Sequence, residues 1–119
     1  MLTLGTGRIF LATVPVDMRR GHDGLVAFVR GQLGADPYQG DLFVFVGRTR
    51  DRLKILGWDR GGFVLVYKRL ARGRFRLPSL TQSSTSVTID KTELAMILGG
   101  FDPASARRQP AWSPTRAAC

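Results

Sequence analysis

The stretch Leu42–Leu70, LFVFVGRTRDRLKILGWDRGGFVLVYKRL, decides the fold, because it reads as three strand candidates in quick succession. Leu42 to Val46 is a continuous apolar run, as expected of a strand buried on both faces. Arg52 to Leu56 alternates cation and aliphatic residue, the pattern of a half-exposed strand. Phe63 to Leu70 is apolar and then turns basic. Between the second and third candidates, Trp58-Asp59-Arg60-Gly61-Gly62 has the composition of a tight hairpin loop, with glycine available where a positive φ is needed.

Working outward, Arg8 to Val14 reads as a further strand that Pro15 ends or confines to a sheet edge. Asp23 is placed to cap a helix whose Leu25, Phe28, Val29 and Leu33 recur at helical spacing, with Gly34 closing it. Asp36-Pro37 and Gly40-Asp41 make a turn. Arg74 to Leu77 is a candidate short strand, and Leu80 to Thr88, rich in Ser and Thr, reads as an exposed connector. Asp90 or Thr92 can cap a short helix over Lys91 to Leu98, which Gly99-Gly100 terminates. From Pro103 onward three prolines and many small residues show no periodicity. The expected fold is α+β: a mostly antiparallel sheet of four to five strands, one main helix packed on a face, and a short C-terminal helix. Residues 1–100 form the expected single domain and 101–119 a flexible Pro/Ala-rich tail.

The charge is not evenly spread. Arg48, Arg50, Arg52, Lys54, Arg60, Lys68, Arg69, Arg72, Arg74 and Arg76 face only Asp51 and Asp59 across Arg48–Pro78, a local +8 in a chain of net +9. Such a patch attracts a polyanion, and nucleic acid is the abundant one in a cell. Arg48, Arg50, Arg52 and Lys54 are spaced by two, which on a strand puts all four on one face. That row spans about 20 Å at roughly 3.3 Å per residue, enough to follow several phosphates. The competing reading is a charged face that protects a sheet edge from aggregation, a role that rarely needs eight uncompensated cations. In a second cluster, Lys68 to Arg76, arginine forks match phosphate oxygens and guanine edges and Gly73 allows close approach. Phe75, between two arginines, either stacks on an unpaired base or belongs to the core, and Trp58 either contacts a ligand or packs under its loop.

Other classes fit poorly. Cys119 has no partner for a disulfide or a cysteine-based zinc site, and the lone His22 builds no histidine-rich metal centre. The amino terminus lacks the charged leader of a signal peptide, and no run approaches the roughly 20 apolar residues that span a bilayer. A soluble cytoplasmic protein with no membrane partner is the expectation. Asp17, Asp41, Asp51 and Lys54 loosely evoke a metal-dependent nuclease, but Asp51 and Lys54 point to opposite faces of a strand and arginines flank Asp51. No catalytic residue, metal site or cofactor is expected.

Three blocks then carry a resemblance: PVDMRRGHDGL at Pro15 to Leu25, DLFVFVGRTRDRLKILGWDRGG at Asp41 to Gly62, and YKRLARGRFRLP at Tyr67 to Pro78. In this order they resemble the TnpB-type accessory protein, the second open reading frame, of the insertion sequence 66 family of bacterial transposable elements. The resemblance runs from about Ile9 to Pro78. It implies an accessory, non-catalytic role in transposition beside a separate transposase; the basic patch makes DNA, at the element ends, the expected partner. Two alternatives stay open: an adaptor that docks onto the transposase without touching nucleic acid, and an RNA-binding regulator of the element's transcript, since DNA and RNA present the same phosphates.

Overall fold

A computed structural model describes residues 7–78, 84–102, 107–109 and 111–114. Among the described residues five strands form one sheet: β1 (Ile9–Ala12), β2 (Leu42–Val46), β3 (Arg52–Asp59), β4 (Gly62–Arg69) and β5 (Ser86–Ile89). Their spatial order is β4-β3-β2-β1-β5. Three of the four pairings are antiparallel; β1 and β2 run parallel, so a crossover between them is required, and it carries α1 (His22–Gly31). With α2 (Lys91–Leu98) after β5, this is the α+β architecture expected from the sequence.

β2 is buried at all five positions because both sheet faces are covered. On one face α1 seats Leu25 and Val29, one helical turn apart, against Phe43, Phe45 and Leu56. On the other face Leu94 and Ile97 of α2 pack with Ile9, Leu11, Val44, Leu53, Ile55 and Phe75. A chain of this size thus builds two thin half-cores on a shared sheet, each closed by a single helix.

Several expectations are corrected. α1 is capped by Gly21 without a side-chain bond, and Asp23 falls inside the first turn, where its carboxylate still meets the positive end of the helix dipole. β3 is not half-exposed; it is buried from Leu53 to Gly57, because α1 and the segment before it cover the face that carries Lys54 and Leu56. Lys54 is only 8% exposed. Its Nζ donates to the carbonyls of Met18 and Arg20, both at 2.8 Å, and lies 5.0 Å from the centre of the Tyr67 ring. Arg48 and Arg50 precede the strand in a turn, so the expected row of four cations along one strand face does not form.

Arg74 to Leu77 is not a strand. Gly73, at φ +85°, reverses the chain so that Phe75 enters the core at 1% exposure, which excludes base stacking. β5, by contrast, occupies part of the expected connector. Its Ser/Thr content hides an alternation in which Val87 and Ile89 face the core while Thr88 faces out. Residues 80–83 of that connector lie outside the described residues. The 60–61 turn is a two-residue hairpin with Arg60 at φ 43° and Gly61 at φ 84°, and Trp58 packs edge-on against Phe63 and Tyr38 beside it.

α2 begins with a complete capping box: Asp90 accepts from the Glu93 amide at 2.7 Å, and Glu93 accepts from the Asp90 amide at 3.1 Å. Its last turn has no basic residue of its own. Distant cations supply the charge, as Lys68 Nζ donates to Leu98 O at 2.7 Å and Arg108 Nε to Gly99 O at 3.0 Å. Phe101 and Arg108 form an isolated antiparallel bridge, and Gln109 donates to Gly100 O and, through Nε2, to Arg74 O. No helix among the described residues is long and apolar enough to cross a membrane.

Two stability outcomes follow. Asp90→Ala should lower unfolding free energy by about 1 kcal/mol in urea titration, the usual cost of losing a helix cap. Lys54→Met should cost about 1–3 kcal/mol, because two carbonyls lose their donor in a partly buried site.

Candidate nucleic-acid interface

The ten cations sort into groups once the chain is folded. Two backbone bonds do most of the sorting: Leu70 N–H donates to Asp51 O at 2.8 Å, and Phe75 N–H donates to Arg50 O at 2.7 Å. They lay residues 70–77 against the turn between β2 and β3. Arg48 and Arg50 from the turn therefore meet Arg74 and Arg76 from the returning segment around one open depression of about 330 Å³. Asp102 also lines it. All four arginines are exposed, and neither the Arg8–Asp41 nor the Arg19–Asp17 ion pair involves any of them.

Arg50 holds a left-handed conformation at φ 61°, uncommon for a residue with a side chain. The turn holds it from both sides, since its N–H donates to Gly47 O at 2.9 Å while its carbonyl accepts from Phe75. Gly47 is packed so closely on Met18 that a Cβ there would approach Met18 Cγ to 2.8 Å. The turn is thus fixed to the core rather than free to swing.

Arg52 and Arg69 form a second group at the same end of the sheet. They are directly opposite partners on β3 and β4, and both are exposed. Like charges in that arrangement repel. Asp51 lies beside them; the Thr49 hydroxyl donates to it and holds its carboxyl below the usual carboxylate range, with the Arg52 and Arg69 charges adding to the effect. Arg72 is exposed in the segment that follows β4.

The remaining three predicted residues are elsewhere. Lys54 is buried under the segment before α1, and Lys68 is committed to the end of α2. Arg60 sits at the hairpin tip, about 26 Å from Arg52 at roughly 3.3 Å per strand residue. Arg19 adds little free charge, being paired with Asp17 at 2.7 Å, whereas Arg20 keeps its charge but is held to the helix, donating to Gly24 O and lying over the Phe28 ring. Arg19's hydrogen bonds hold the Asp17 carboxyl well below its ordinary range. Asp41, the third acid of the nuclease-like set, accepts from the Arg8 backbone at 2.9 Å. Sequence reasoning missed Asp102 and Gln109, whose approach depends on how the chain returns after α2 and has no local signal.

The arrangement offers fork-shaped donors over an open surface. It is suited to several phosphate oxygens and lacks the enclosed shape of a small-molecule pocket.

Residues 7–108 match the family described as IS66 Orf2 like protein. The uncharacterized protein y4jC of Sinorhizobium fredii (strain NBRC 101917 / NGR234) is 40% identical over 111 residues, covering 93% of this chain and 93% of the relative. A second uncharacterized protein of that strain, y4hO, is 38% identical over 109 residues, covering 92% and 91%. No solved structure matches the chain. Since the match takes in every strand and both helices among the described residues, the chain belongs to the IS66 Orf2-like family and has an accessory role in transposition.

Proposed function

We propose that the protein is a non-catalytic accessory factor that binds DNA at the ends of its element and assists a separate transposase in the cytoplasm. The observation that carries this reading is the convergence of Arg48, Arg50, Arg74 and Arg76 on one depression, with Arg52 and Arg69 adjacent. Cations that repel one another at one end of a small sheet reduce stability, and such a local violation of folding rules is characteristic of a functional surface. A polyphosphate relieves it. The donors sit on a turn and a returning segment pinned to the core, so little ordering is required when they engage a backbone. Contacts of this type read phosphates rather than base edges, so binding is expected to be strong at low salt and modest in sequence preference.

The test is fluorescence anisotropy of the full chain on a labelled duplex carrying the element's terminal repeat, against a scrambled duplex, across a salt series. Six engaged arginines predict a log–log salt slope of about −5. The triple variant Arg50→Ala, Arg74→Ala, Arg76→Ala should bring the slope to about −3, whereas Arg60→Ala at the far end should leave it within error. An unchanged slope in the triple variant removes this surface from the interface. Failure to bind either duplex at low salt leaves docking onto the transposase as the reading.

A further inference from the structure

β4 closes one edge of the sheet and is eight residues long; the opposite edge, β5, has four. In the two-residue hairpin Asp59 and Gly62 are the first hydrogen-bonded pair, so the even-numbered residues of β4 direct their backbone toward β3. The bond from Leu70 N–H to Asp51 O continues the same parity. Phe63, Leu65, Tyr67 and Arg69 therefore direct their N–H and C=O groups outward, and none of these groups meets another described residue. Val66 (38% exposed) and Tyr67 (50%), two of the large apolar side chains left exposed, are consecutive on this strand, one on each face of the sheet. From Gly62 to Tyr67 there is no charge, proline or bulge, the devices that ordinarily block edge pairing.

We propose that this edge pairs with β4 of a second copy, antiparallel about a two-fold axis at Val66, making one ten-stranded sheet from two five-stranded ones. The inference is independent of the nucleic-acid reading. Charge selects the direction: a parallel, in-register pairing sets Lys68 and Arg69 of both copies side by side, and like charges so placed repel. The hydrogen-bond pattern selects the register. Centred on Val66, Phe63 faces the partner's Arg69 and Leu65 the partner's Tyr67, so all four outward residues of each copy are bonded. Centring on Leu65 or Tyr67 leaves one of the four unpaired.

The side chains agree with this register. Val66 meets the partner's Val66, Val64 meets the aliphatic stem of the partner's Lys68, and Arg69 stands opposite the partner's uncharged Phe63. No charge opposes its like.

The test uses the full chain with Cys119→Ser, which removes the native thiol. At the two-fold the paired Val66 Cα atoms are about 4.5 Å apart, within disulfide reach, so V66C should cross-link under mild oxidation. V64C lies roughly 13 Å from its own counterpart and should stay reduced. Sedimentation equilibrium should give twice the 13.1 kDa chain mass, and V66K, which opposes two ammonium groups at the axis, should restore the single mass with an unchanged far-UV circular dichroism spectrum. The proposal is overturned by a single mass at every concentration, by a dimer indifferent to V66K, or by equal cross-linking at both cysteines. It is also overturned if the β4 amides become protected from exchange only when the transposase is added, which assigns the edge to that partner.

Discussion

The burial of Phe75 is the constraint on which the basic surface depends. The residue sits between Arg74 and Arg76, and its ring fills a place beside Leu94 and Ile97. An aromatic ring in a core is a strong local anchor, so a segment of high positive charge is held against a turn that carries two further arginines. Without the anchor, repulsion would drive the four guanidinium groups apart, and nothing in local propensity would bring residues 72–77 back to residues 47–51. Gly73 supplies the conformation for the reversal, and the bond from Phe75 N–H to Arg50 O fixes the register of the return. Hydrophobic burial thus holds in place a cluster that electrostatics alone would disperse.

The chain's cations have different duties, and the difference is one of surroundings. Lys54 and Lys68 are lysines whose single ammonium group satisfies backbone carbonyls, in the loop before α1 and at the end of α2. The cations left around the depression are all arginines, whose planar forks suit phosphate. Lysine, with a flexible stem and a compact charge, reaches carbonyls inside the fold. A count of positive charge therefore overstates the candidate interface: ten candidates become six at one end of the sheet, with Arg72 beside them and Arg60 remote.

Much of the fold was legible in the sequence because its signals are local. The LFVFV run of β2, the hairpin at Arg60-Gly61 and the Asp90 cap each depend on residues within a few positions of one another. The misreadings concern whatever a distant segment decides. Lys54 looked exposed because alternation with Leu53 and Ile55 is the pattern of a half-wet strand. It is buried because residues 18–20, far away in sequence, present two carbonyls to it. β5 was hidden by serine and threonine, and its strand character comes from β1, with which it pairs. The same reasoning explains the site: that it is basic could be read from composition, but that Arg48 and Arg50 stand beside Arg74 and Arg76 is a long-range fact, set by two backbone bonds and one buried ring.

The edge of β4 and the basic end of the sheet place opposite demands on the same strand, and their geometry reconciles them. Arg69 belongs to both: its side chain lies opposite Arg52, while its backbone faces outward. Side chain and backbone leave a strand in perpendicular directions, so phosphate contact through one does not occupy the other. In an antiparallel pair the two basic ends point away from each other, which keeps like charge apart and leaves both surfaces open. A parallel pair would join them into one larger field, at a repulsive cost that only a bound polyanion offsets. The apolar run of β4 can therefore serve the proposed pairing while Arg69, at its end, keeps its side chain for an anionic partner, and the sequence GFVLVYKR changes character where this division falls.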